Sequence, residues 1–173
     1  VTALINFTNF MDGLDGLVSG CMVVAISALT IELSAPWSLW SLVGALLGFL
    51  LWNWSPAKVF MGDVGSTYLG AVFAGLVLQA QSWPHALSML LVATPMMGDA
   101  CMCVLRRLLA GQQVFKSHNL HLFQRLYQSG WTHALVATLY IFGTALLAVA
   151  LVWGGVHWVI ALAVTEVLIG IWL

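Results

Sequence analysis

Charge is what this chain has least of. Of its 173 residues only 6% are Asp, Glu, Lys or Arg, against roughly 25% in a soluble globular domain. So few charges cannot cover a water-facing surface, and a soluble fold is excluded. Cysteine is scarce too: Cys21, Cys101 and Cys103 are odd in number, lie in apolar runs and lack zinc-site spacing. Cys101 and Cys103 would face different sides of one helix, so buried free thiols are the expectation. What fills the chain instead is apolar, with 62% hydrophobic residues and a mean hydropathy of +1.01. The net charge of −1 says little, because the placement of the charges matters more than their sum.

A membrane-crossing helix needs about 20 predominantly apolar residues. Residues 17–33, 39–54, 66–81, 86–105, 132–153 and 157–173 meet or approach that length. The expected fold is therefore all-α: a polytopic membrane helix bundle of about six transmembrane helices, with residues 1–173 forming one domain. Lys58 falls between the second and third spans, and Arg106, Arg107, Lys116 and Arg125 fall between the fourth and fifth. The other turns carry no Lys or Arg, so all five positive charges sort to one side. That side is predicted to be the cytoplasm. Trp37, Trp40, Trp83, Trp153 and Trp158 would line the opposite interface, with Trp52, Trp54 and Trp131 at the inner one. Gly44-x-x-x-Gly48 would allow close helix packing.

Three polar islands interrupt the apolar chain: residues 6–15 (NFTNFMDGLD), 53–66 (NWSPAKVFMGDVGS) and 106–125 (RRLLAGQQVFKSHNLHLFQR). With paired spans between them, all three emerge on the same face. The first holds Asn6, Asn9, Asp12 and Asp15 beside Gly13 and Gly16. Its carboxylates could bind a cation, orient a hydroxyl or accept a proton; helix capping at residue 17 explains one of them, hardly four. In the second, Pro56 breaks the preceding helix, while Gly62 and Gly65 let the backbone turn around Asp63. Asp63 is the best magnesium ligand by its carboxylate chemistry, with an N-cap as its plain structural alternative. Ser66 would open the next span, where free N–H groups could face a phosphate. The third island combines cations with His118 and His121, which would share one face of an amphipathic interfacial helix. These groups could hold a pyrophosphate, although basic loops also serve topology and anionic lipid headgroups. Asp99 and Glu166 lie inside spans, where ionisable groups are costly and functional by default. Glu166 has no evident partner.

Taken together, the islands resemble the polyprenyl-phosphate N-acetylhexosamine-1-phosphate transferases, relatives of the phospho-MurNAc-pentapeptide transferases. NFTNFMDGLDGL is similar to the family's N-x-x-N-x-x-D-G-x-D-G-L element, and NWSPAKVFMGDVGS to its N-x-x-P-A-x-x-F-x-G-D-x-G-S element. TPMMGDACMCVLRRL resembles the segment where an Asp precedes an Arg pair, and SHNLHLFQRL the histidine-rich loop. The resemblance implies transfer of N-acetylhexosamine-1-phosphate from a UDP-sugar to undecaprenyl phosphate, with release of UMP. It implies an Mg²⁺-dependent enzyme (Mn²⁺ as a substitute) in a bacterial inner membrane, its active site facing the cytoplasm. Asp12 and Asp63 would be catalytic, Asp63 also the metal ligand. Asn9, Asp15, Asn53 and Phe60 would hold the nucleotide, Phe60 by stacking on uracil. His118, His121 and Arg125 would hold the sugar-phosphate. The implied partners are UDP-N-acetylhexosamine, polyprenyl phosphate, the bilayer and a second copy in a homodimer, with no nucleic acid.

Two departures qualify this. The family's early Asp-Asp pair has no match, so the chain is expected to lack an N-terminal portion and to be inactive alone. The loop reads His118-Asn119-Leu120-His121, closer to the His-Arg-Ser-His of O-antigen initiators than to a triple His, which leaves the sugar open. The competing readings are a multi-pass transporter with Asp99 and Glu166 along its path, and an inactive remnant that only packs helices.

Overall fold

The computed structural model describes residues 1–111 and 121–172. Among these residues every regular element is a helix: α1 (Thr2–Met11), α2 (Leu17–Glu32), α3 (Trp37–Asn53), α4 (Gly62–Val77), α5 (Trp83–Leu91), α6 (Thr94–Leu109), α7 (Leu122–Gln128), α8 (His133–Val149) and α9 (Val156–Trp172). A π turn at Ala150–Gly154 extends α8. The all-α expectation holds, because an apolar surround offers no water to unpaired backbone groups and the helix satisfies them internally.

Each of the six expected spans finds a helix, with two differences. The span expected at 66–81 begins earlier, at Gly62, so the motif around Asp63 forms the first turn of α4. The span expected at 86–105 is two helices, α5 and α6, which meet at an 88° bend. Pro95 stands in the first turn of α6, where it has no N–H to continue the ladder of α5 and its ring crowds the preceding turn. The first island is largely helical: Asn6 and Asn9 lie on α1. That helix runs antiparallel to α4, since Asn9 meets Ser66 while Ile5 meets Gly70.

Helix α2 is the hub. It is apolar all round, with Leu17, Met22, Ala25, Ile26 and Leu29 fully buried, as a helix surrounded by other helices must be. Phe73, Met89, Met96 and Leu147 bring α4, α5, α6 and α8 into the same core. The outer surface is apolar as well: Leu51, Leu78, Phe142, Leu168 and Trp172 are all exposed. This is the inside-and-out hydrophobicity of a bundle whose solvent is lipid. Helices of 16 or 17 residues reach about 24–26 Å, a little short of a bilayer core of ~30 Å. Among the described residues only His133–Gly154, at 22 residues, passes that length unaided.

The ends of the bundle differ in kind. At one end Glu32 pairs with His85 at 3.3 Å, and Trp37, Trp83, Trp153 and Trp158 stand exposed. The described parts of the islands gather at the other. A Cβ at Gly44 or Gly48 would meet nothing within 4 Å, so that small-residue pair packs no helix among the described residues. Cys21 and Cys103 are buried as expected, but Cys101 is exposed, because it looks out from the apolar shell.

Candidate active site

The site is built where α1 and α4 touch. A Cβ on Gly70 would lie 2.8 Å from the Ile5 Cα, so the two backbones approach as only a glycine allows. One turn on, Asn9 Nδ2 donates to Asp63 Oδ1 at 3.1 Å and to Ser66 Oγ at 2.9 Å. The N-cap of α4 is Met61, and Asp63 lies two residues further on, in the first turn. The capping alternative therefore fails for it, and its exposed carboxylate is oriented from another helix. Ser66 is fully buried and its hydroxyl bonds back to the Gly62 carbonyl at 3.2 Å. The N–H groups left for an anion belong to the turn before it.

Asp12 ends α1 and sits half-buried next to this pair. Burial first, and the negative charge of Asp63 second, push its carboxyl up from 3.8 to about 6. A buried carboxyl raised beside a second carboxylate marks a place where a cation is favoured. The donors are hard oxygens, as Mg²⁺ and Mn²⁺ prefer. Among the described residues no three His, Cys, Asp or Glu side chains gather around one point. The two Asp residues thus fit a metal that fills its remaining positions with water and phosphate oxygens, the habit of Mg²⁺.

Asp15 and Asn53 fasten the first island to the second. The Ala57 N–H donates to Asp15 Oδ2 at 3.1 Å, and His133 Nδ1 lies 3.2 Å from the same oxygen. Asn53 is buried and touches three segments: its Oδ1 accepts from Gly16 N–H at 3.2 Å and from Ser19 Oγ at 2.7 Å, and its Nδ2 donates to Val59 O at 3.0 Å. Gly16, not Asp12 or Asp15, is the N-cap of α2, at φ +75°. Any side chain there would be strained and would meet the Trp54 ring at 2.9 Å. Phe60 is the opposite case, 74% exposed on the loop before α4: an aromatic face held out from the fold.

The third island closes on the first through Phe123, whose ring carbons lie 3.1 Å from where a Gly13 Cβ would be. His121 is buried and precedes α7 as its N-cap, in extended backbone, with its ring stacked on Phe123 at 5.5 Å. It is not on the helical face expected for it, because α7 starts one residue later. Arg125 lies on α7 and is exposed. His118 lies outside the described residues. Two residues outside the expected site join the assembly: His133, through Asp15 and an edge contact with Tyr127 at 4.6 Å, and Asp99, which accepts hydrogen bonds from the start of α7. Position alone could have flagged His133, since it opens the span that returns from the third island.

Known proteins are similar to this chain. The profile of glycosyl transferase family 4 matches residues 1–81, which contain the first two islands. A probable undecaprenyl-phosphate N-acetylglucosaminyl 1-phosphate transferase of Bacillus subtilis is 28% identical over 155 residues, covering 83% of this chain and 43% of that protein. A phospho-N-acetylmuramoyl-pentapeptide-transferase of Listeria monocytogenes is 45% identical over 85 residues, covering 45% of this chain and 26% of its own length. One from Prochlorococcus marinus is 48% identical over 82 residues, covering 42% and 22%. The chain spans less than half the length of these relatives.

Proposed function

From a chain that belongs to glycosyl transferase family 4, we propose that its protein transfers N-acetylhexosamine-1-phosphate from a UDP-sugar to undecaprenyl phosphate and releases UMP, initiating a cell-envelope polysaccharide. The observation that carries this is the convergence of Asn9, Asp12 and Asp63 at the α1–α4 contact. Two relatives named for undecaprenyl-phosphate and phospho-sugar chemistry support it.

An oxygen of the lipid phosphate attacks the phosphorus that bears the sugar. A new P–O bond forms, the bond to the UMP oxygen breaks, and UMP leaves with that electron pair. Such a reaction asks for positioning and charge neutralisation more than for covalent chemistry. Asp63, steadied by Asn9, and Asp12 would hold Mg²⁺, which would neutralise diphosphate charge when bound. With the metal on Asp63 alone, Asp12, pushed up to about 6 chiefly by burial, would match the second ionisation of a phosphate monoester near about 6 and would take the acceptor's proton instead of sharing the metal. Phe60 offers its exposed face to uracil; Asp15 and Asn53 set the loop that carries it. His121, Arg125 and His118 would meet the sugar-phosphate. All five cations lie within the second and third islands, so the site would face the cytoplasm of a bacterial inner membrane. The transporter reading loses its first acid: Asp99 carries hydrogen bonds from α7 and α8.

The deciding assay supplies the full-length protein in detergent with polyprenyl phosphate and a panel of UDP-sugars. UMP release that needs Mg²⁺ and disappears in Asp63→Asn is the expected result. Folded protein that releases no UMP from any UDP-N-acetylhexosamine refutes the proposal.

A further inference from the structure

Helix α7 has seven residues, too few to be stable by its own hydrogen bonds. Something else must fix it, and with it His121. That anchor comes from 23 residues away, inside α6. Asp99 Oδ1 accepts from Leu122 N–H at 2.8 Å, and Asp99 Oδ2 accepts from Phe123 N–H at 3.2 Å. These are two of the N–H groups that a helix start leaves without an internal partner. The Tyr140 hydroxyl on α8 donates to Oδ2 as well, at 2.8 Å. His121 Nδ1 lies 3.6 Å from Oδ1, and both side chains are only 5% exposed.

A carboxylate taking three hydrogen bonds in an apolar surround is a strong tie. It acts as a capping group supplied by a different helix, and its charge suits the positive end of α7. The same contact sets the Phe123 ring against Gly13, beside Asp12. We infer that Asp99 is a positioning residue: it latches α7 to α6 and α8 so that His121 is presented to the catalytic carboxylates. This rests on the reading of His121 as a sugar-phosphate contact, while the latch itself does not.

The variant to make is Asp99→Asn in the full-length protein. Its amide keeps one acceptor for Leu122 but turns an N–H donor toward Phe123 N–H. Tyr140→Phe, which removes one donor and leaves both backbone bonds, is the milder companion. Amide hydrogen exchange should show the 122–128 segment losing about tenfold or more of its protection in Asp99→Asn, less in Tyr140→Phe, with α2 and α4 unchanged. UMP release should lose about tenfold in kcat/KM. In a His121→Ala background the same Asp99→Asn change should cost little more, because a residue acting through His121 has nothing left to position. Unchanged exchange at 122–128 overturns the latch. Lost protection with unchanged kcat/KM, or with a full additional loss in the His121→Ala background, overturns the positioning role. If the wild type releases no UMP, the functional reading fails and the exchange measurement still decides the latch.

Discussion

Replacing Gly70 by alanine sets two effects of opposite sign against each other at the α1–α4 contact. In mid-helix the change should help, by roughly 0.5–1 kcal/mol of backbone propensity. Here, however, the new Cβ would lie 2.8 Å from the Ile5 Cα, 2.9 Å from Thr8 Oγ1 and 3.1 Å from Thr8 Cβ. Ordinary contact starts at 3.4 Å, and the nearest atom is backbone, so α1 as a whole must retreat by about half an ångström or more. Asn9 rides on that helix one turn further along. The same retreat stretches its 2.9 and 3.1 Å bonds to Ser66 and Asp63 to the edge of hydrogen-bond range or past it. Overpacking of this kind costs about 1–3 kcal/mol, which exceeds the propensity gain. A displaced catalytic group costs up to about 100-fold in rate. UMP release and thermal unfolding of Gly70→Ala measure both. Gly44→Ala is the control, because a Cβ at Gly44 meets nothing within 4 Å and only the propensity gain remains. Wild-type turnover and an unshifted melt in Gly70→Ala would falsify the close-contact argument.

Asp12 gives a pH signature. Its folded carboxyl sits at about 6 against an ordinary 3.8, so the folded state binds the proton more tightly than the unfolded chain. Stability should therefore fall as pH rises from about 4 to about 6 and level off above that. Asp12→Asn should remove that slope, worth about 1 kcal/mol after discounting for solvent screening of a partly exposed group. Melts at pH 4.5 and 7 test it, and equal slopes in both proteins would refute it. Asn53 and Phe60 should part ways. Asn53→Ala strands the buried Gly16 N–H and Ser19 hydroxyl and should destabilise by about 2–3 kcal/mol. Phe60→Ala should leave the melt unchanged, yet raise the KM for UDP-sugar about tenfold if its stacking on uracil is worth about 1–3 kcal/mol. A large melting shift in Phe60→Ala, or none in Asn53→Ala, would reverse these assignments.

The helical bundle was legible in the sequence, because hydrophobic run length reports burial in lipid directly and needs no partner. The two Asp-rich motifs were legible for a related reason: Asp12-Gly13-Leu14-Asp15 and Gly62-Asp63-Val64-Gly65 bring polar groups and flexible backbone together within one turn. The 88° break before α6 was half visible, in that Pro95 could be read but its effect on a long apolar run could not. Asn53 is the instructive intermediate. Its place in a motif marked it, but whether its amide faces a ligand or the fold depends on Gly16, Ser19 and Val59 arriving from elsewhere.

Composition, the all-α class and the identity of the motif residues were thus determined by the chain order alone. They depend on local chemistry and on counting. Tertiary structure decided what touches what: that Asn9 steadies Asp63, that Gly70 lets two backbones meet, that His133 reaches Asp15, and that Asp99 inside α6 holds the start of α7. Each of these pairs is separated by at least 23 residues. A hydrogen bond over that distance is fixed by helix packing, which no local pattern encodes.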